Sequence, residues 1–98
     1  MTKYVSLTVN DITIPLDYFV EAFVDQTIRG MMSSLQGVGT IEVLDISIDG
    51  DAVAITANGS RLAINPFVNK IVRSTIIGMV STLKGVSEIK KLGILIKK

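Results

Sequence analysis

The chain contains no cysteine and no histidine. The first absence excludes disulfides and thiol chemistry. The second removes the commonest neutral-pH acid/base and the commonest metal ligand together. There is no glycine-rich phosphate loop and no serine in a nucleophile-elbow context, so catalysis has little to stand on and the reading is non-enzymatic, with no cofactor. No apolar run reaches the roughly 18 residues that span a bilayer, because Arg29, Lys70, Arg73 and Lys84 interrupt the helical stretches. Met1-Thr2-Lys3-Tyr4 leads into an alternating pattern rather than a charged-then-apolar leader, which points to the cytoplasm. Aromatic residues are few: Tyr4, Tyr18, Phe19, Phe23 and Phe67. None is interleaved with Lys90-Lys91 or Lys97-Lys98, which argues against nucleic-acid binding, where basic and stacking groups alternate.

What the chain does contain is itself, twice. Thr27-Ile28-Arg29-Gly30-Met31-Met32-Ser33-Ser34-Leu35-Gln36-Gly37-Val38 returns as Thr75-Ile76-Ile77-Gly78-Met79-Val80-Ser81-Thr82-Leu83-Lys84-Gly85-Val86. At that offset of 48, the halves align without a gap at 18 identical positions, among them Val5/Val53, Asn10/Asn58, Phe19/Phe67 and Ile46/Ile94. Internal repetition of this kind is settled before any other reading. Residues 1–98 are therefore read as one domain made of internal repeats 1–50 and 51–98. Nothing between them resembles a linker, since Asp49-Gly50 is a hairpin signal, so the repeats share a core.

Within each repeat the periodicity changes from two to 3.6 and back. Val5, Leu7 and Val9 alternate with polar residues, Asn10-Asp11 turns, and Ile12, Ile14 and Leu16 return. Pro15 confines this returning strand to an edge. Asp17 stands as N-cap to a helix from about Tyr18 to Gln36, with the stripe Val20, Val24, Ile28, Met31 and Leu35 flanked by Phe19 and Phe23. Gly37 suits a left-handed C-terminal position with Val38 folding back. Leu44, Ile46 and Ile48 then alternate with Asp45, Ser47 and Asp49. The second repeat follows the same plan: Val53, Ile55, Ala57; the Asn58-Gly59 hairpin; Leu62 and Ile64; an Asn65-Pro66 helix start; the stripe Val68, Val72, Ile76, Met79, Leu83, with Phe67 and Ile71 beside it; Gly85; and Leu92, Ile94, Ile96. The expected fold class is α+β, two tandem ββαβ repeats with pseudo-two-fold symmetry. They would form a mainly antiparallel six-stranded sheet with two helices packed side by side on one face.

Charge is divided unevenly under a net +1. Residues 1–50 hold two basic against seven acidic residues, net −5, and residues 51–98 hold eight against two, net +6. Asp25/Arg73, Glu42/Lys90 and Asp49/Lys97 are equivalent positions of opposite sign. Solvated surface drift explains this as well as complementary fields between repeats or between chains, and only the second makes an intermolecular contact weaken as salt rises.

Three features could carry function. Gly30 and Gly78 fall mid-helix at equivalent positions, where glycine costs about 1 kcal/mol relative to alanine; close approach of helix backbones is the favoured reason. Asp45, Ser47 and Asp49 before Gly50 match the start of a calcium loop, but Thr56 stands where the bidentate glutamate belongs, and strand-then-turn explains the same residues. Last, the outward sheet row of the first repeat is polar (Ser6, Thr8, Thr13, Asp45, Ser47), whereas its counterpart in the second is Ala54, Thr56, Arg61, Gly93 and Leu95, with Ala52 and Ala63 beside them. Small apolar residues on a wet face suggest a covering partner. Together with 48% hydrophobic residues and a mean hydropathy of +0.51, this makes a self-associating interaction module, a homodimer, the first functional expectation. Its candidate interface is Gly30, Gly78, Ala52, Ala54, Ala63, Gly93 and Leu95. A carrier of an apolar or lipid-like ligand between helices and sheet is the alternative.

Overall fold

The structure, a computed structural model, describes residues 4–35, 40–83 and 85–97. In chain order these form β1 (Tyr4–Val9), β2 (Ile12–Thr13), α1 (Tyr18–Ser33), β3 (Val43–Asp49), β4 (Ala52–Ala57), β5 (Ser60–Arg61), α2 (Pro66–Val80) and β6 (Lys91–Lys97). The fold is α+β. Six strands make one sheet in the order β2-β1-β6-β3-β4-β5, every pair antiparallel.

Three two-residue turns set the register. Asn10-Asp11 joins β1 to β2 with φ of 52° and 68°, and Asn58-Gly59 joins β4 to β5 with 52° and 81°. Positive φ at both central positions belongs to the turn whose twist matches the flanking strands. Between β3 and β4 the central residues are Gly50 and Asp51, one place later than the dipeptide Asp49-Gly50 implies. Only Gly50 takes a positive φ there, 61°. The returning strands β2 and β5 are only two residues long. Ile14 and Leu62 still donate to Leu7 and Ile55 at 2.9 Å, after which each chain turns towards its helix. Pro15 thus lies beyond the edge strand, where its missing donor interrupts no ladder.

The alternating rows expected of the strands are the rows that are buried. Leu7, Ile94, Ile46 and Ile55 stand side by side across β1, β6, β3 and β4, and all are at most 1% exposed. Val24, Ile28 and Met32 of α1 and Val72, Ile76 and Val80 of α2 join them in one core, so both helices cover this face. Asp17 and Asn65 cap the two helices, each accepting from the amide three residues on at 2.8 Å. Such a cap satisfies a donor the helix cannot. Helix α1 ends at Ser33, short of the expected Gln36. Gln36, Gly37 and Val38 lie outside the described residues. Helix α2 ends at Val80, and Gly85 takes its left-handed φ of 84° four residues beyond the cap Ser81.

The halves are tied reciprocally. Asn10 Oδ1 accepts from the amides of Lys90 and Lys91 at 2.8 and 2.9 Å, and its Nδ2 donates to Glu88 O at 2.7 Å. Asn58 makes the equivalent bonds to Glu42 and Val43 at 2.7 and 3.1 Å and to Thr40 O at 2.8 Å. Each hairpin turn therefore holds the segment that leads into the other half's last strand.

Candidate interaction surface

The helices' outward side differs from the flank that periodicity suggested. At 3.6 residues per turn, Phe19 stands about 180° from Ile28 and Phe23 about 140° from it. They lie opposite the buried face rather than beside it. Phe19 is 72% and Phe23 50% exposed, their rings stacked at 6.0 Å, and the equivalent Phe67 and Ile71 are 69% and 50% exposed. The place beside Ile28 goes instead to Met32, with Met31 only half-buried, and to Asp25. The Asp25 carboxylate is buried and receives Arg29 Nε at 2.9 Å. Sequence reasoning missed this pair because the i, i+4 spacing resembles any exposed ion pair.

The rest of each outward stripe is small or uncharged. In α1 it runs Phe19, Phe23, Gln26, Gly30, Ser33; in α2, Phe67, Ile71, Ser74, Gly78, Ser81. Among the described residues, a side chain added at Gly30 or Gly78 would meet no heavy atom within 4 Å beyond its chain neighbours and its own helix backbone. This corrects the close helix approach expected within the chain, since neither glycine touches the other helix. The hydroxyls that follow fold back onto the helix: Ser33 and Ser34 donate to Gly30 O at 2.9 and 3.3 Å, Ser81 to Gly78 O at 3.2 Å and Thr82 to Met79 O at 2.8 Å.

The remaining candidates do not form one surface. Ala54 and Gly93 share a row of the uncovered sheet face with Thr8 and Ser47, while Leu95 sits between Ser6 and Asp45 in the next row and Ala52 opposes Asp49. Hydroxyls and charges therefore break up the apolar positions. Gly93 has a reason inside the chain, because a Cβ there would lie 2.8 Å from Thr8 Oγ1. Thr8, Asp11, Ser47, Asp49 and Lys91 wall a shallow trough of about 300 Å³ over it. Asp45, Ser47 and Asp49 follow one another along extended β3, a geometry that spreads oxygens rather than converging them on a cation. Ala63 belongs elsewhere: with Ser34, Leu35, Leu62, Ile64 and Val68 it lines a groove of about 450 Å³ on the helix side. That groove puts the end of α1 beside the start of α2, so the helices run antiparallel.

Comparison with protein-family models, with curated proteins and with solved structures finds no match to this chain. Among the described residues no helix is long and apolar enough to cross a membrane.

Proposed function

We propose that this protein is a non-enzymatic, self-associating interaction module that works as a homodimer. The observation that carries the reading is the exposure of Tyr18, Phe19, Phe23, Phe67 and Ile71 together on two helices. Exposed apolar clusters of this kind on a small domain mark contact with another macromolecule. The non-enzymatic part rests on the lack of histidine and cysteine and on carboxylates scattered over edges, turns and an ion pair.

The same proposal treats residues 1–98 as one domain of two ββαβ repeats about a pseudo-two-fold axis between β3 and β6. Its support is the register. Ile46 faces Ile94, and a shift of 48 exchanges the Leu44–Ile96 pair with the Ile48–Leu92 pair. The hydrogen bonds of Asn10 and Asn58 exchange in the same way.

The groove beside Leu35, Leu62, Ile64 and Val68 favours the carrier as the second reading, because it is concave and largely apolar. Native mass spectrometry of protein purified without refolding separates the two. A dimer at bare polypeptide mass is the expected result. A monomer with a few hundred daltons of added mass (the order of a small-molecule ligand) would replace the module by the carrier, and a bare monomer would overturn both.

A further inference from the structure

We infer that the dimer interface is the outer helix layer, and that its occupant is the helix layer of a second copy seated with bulky side chains over glycines. The inference rests on the self-association proposed above and adds the surface and its fit.

Each helix is bulky in its first half and bare in its second. Phe19 and Phe23 precede Gly30, Ser33 and Ser34 in α1; Phe67 and Ile71 precede Gly78, Ser81 and Thr82 in α2. Because the helices are antiparallel neighbours, the raised end of one lies beside the lowered end of the other. The layer is then a checkerboard of two knobs and two saddles. Turning a second copy over about an axis in the plane of the layer places every knob above a saddle. A surface with this pattern is complementary to itself, which is what an isologous two-fold contact requires.

Desolvation favours the same face. The stripes themselves are uncharged, with exposed Lys70 at their border, and the saddle hydroxyls are already bonded to their own helix, so a covering layer strands no hydroxyl there. The area allows it too. The molecule is a slab of 36 × 34 × 19 Å, so a rectangle of roughly 1,200 Å² bounds its broad face and leaves room for the ~800 Å² per partner of a standard stable interface. Finally, Gly30 and Gly78 face open space within the chain. Alanine there would favour the helix, so the chain's own packing does not call for glycine, whereas a saddle for another copy's ring does.

The test is sedimentation velocity on the full chain, comparing wild type with the double variant Gly30→Leu, Gly78→Leu and with Phe19→Ser, Phe67→Ser. The expected result is a wild-type dimer whose dissociation constant rises at least ~30-fold in both variants, the size of a hot-spot loss. The leucine variant should melt no lower than wild-type monomer, since its new side chains enter empty space. Dimers that persist unchanged in either folded variant would overturn this interface while leaving self-association standing. A wild-type monomer would overturn both. Should the leucine variant fail to fold, the serine variant alone decides, because Phe19 and Phe67 take no part in the core.

Discussion

Asparagine at 10 and 58 meets two demands at once. Each sits at a φ of 52°, a conformation that asparagine tolerates better than most side chains, and each spends its amide on three backbone groups of a distant segment. The two demands separate by substitution. Asn58→Gly keeps the backbone and loses the bonds; Asn58→Ala loses both. With about 1 kcal/mol for each hydrogen bond partly replaced by water, Asn58→Gly should cost about 2 kcal/mol, and Asn58→Ala about 1 kcal/mol more for the left-handed backbone. Urea unfolding followed by circular dichroism measures both, and a glycine variant as stable as wild type would refute the tether. The turns themselves are legible in the sequence, because turn chemistry is local. The tethers are not. Glu88 and Lys91 lie about eighty residues from Asn10, and nothing in a local pattern announces a partner at that distance.

At the scale of elements, α2 holds the turn between β3 and β4. Its Asn69 Oδ1 accepts the amide of Val53 at 2.9 Å, its Nδ2 donates to Asp51 O at 2.9 Å, and Arg73 Nε donates to Gly50 O at 2.7 Å. Helix α2 thereby clamps the β3–β4 turn and occupies a donor on the outer edge of β4, where a free edge invites another strand. The equivalent residues of α1 are Glu21 and Asp25, which cannot donate in the same way when ionised. Asn69→Ala should therefore destabilise by about 1–2 kcal/mol, with amide exchange at Val53 accelerated beyond that at Ile55. Equal acceleration at the two amides would mean the clamp acts only through global stability. The elements were easy to read, since period-two and period-3.6 patterns each alternate cleanly and the caps Asp17 and Asn65 stand where such residues belong. Helix rotation was harder. Phe19, Val20, Phe23, Val24, Ile28, Met31, Met32 and Leu35 cover most of the α1 circumference, and hydrophobicity alone does not tell a buried valine from an exposed phenylalanine. Gln26 and Ser33 mark the outward side, but buried Asp25 points the pattern the other way, since an acidic residue is the last one a pattern assigns to a core.

Over the whole molecule, the division into an acidic and a basic half acquires a location. Among the described residues, ion pairs join Arg29 to Asp25 and Arg73 to Asp51, each within one half. The opposed positions Glu42/Lys90 and Asp49/Lys97 are all exposed, and Asp45, Asp49, Lys91 and Lys97 stand on the sheet strands. The outward helix stripes are bordered by one exposed charge among the described residues of α2's outer side, Lys70, with no acidic group of the stripes to pair with it. Salt response thus discriminates between faces. An interface on the uncovered sheet side would set Asp45 and Asp49 near Lys91 and Lys97 of another copy, and shortening the Debye length from about 14 Å to about 4 Å between 0.05 and 0.5 M salt would weaken it about tenfold. An interface on the helix layer is apolar, so its dissociation constant should stay within about threefold over that range, or tighten in sulfate, which strengthens apolar burial. It should also form with a negative heat-capacity change. Isothermal dilution calorimetry at two temperatures and two salt concentrations reads both quantities in one series. Tenfold weakening with salt and little heat-capacity change would move the contact to the sheet, where Leu95 and Ala54 would be too sparse to hold it without the surrounding charges.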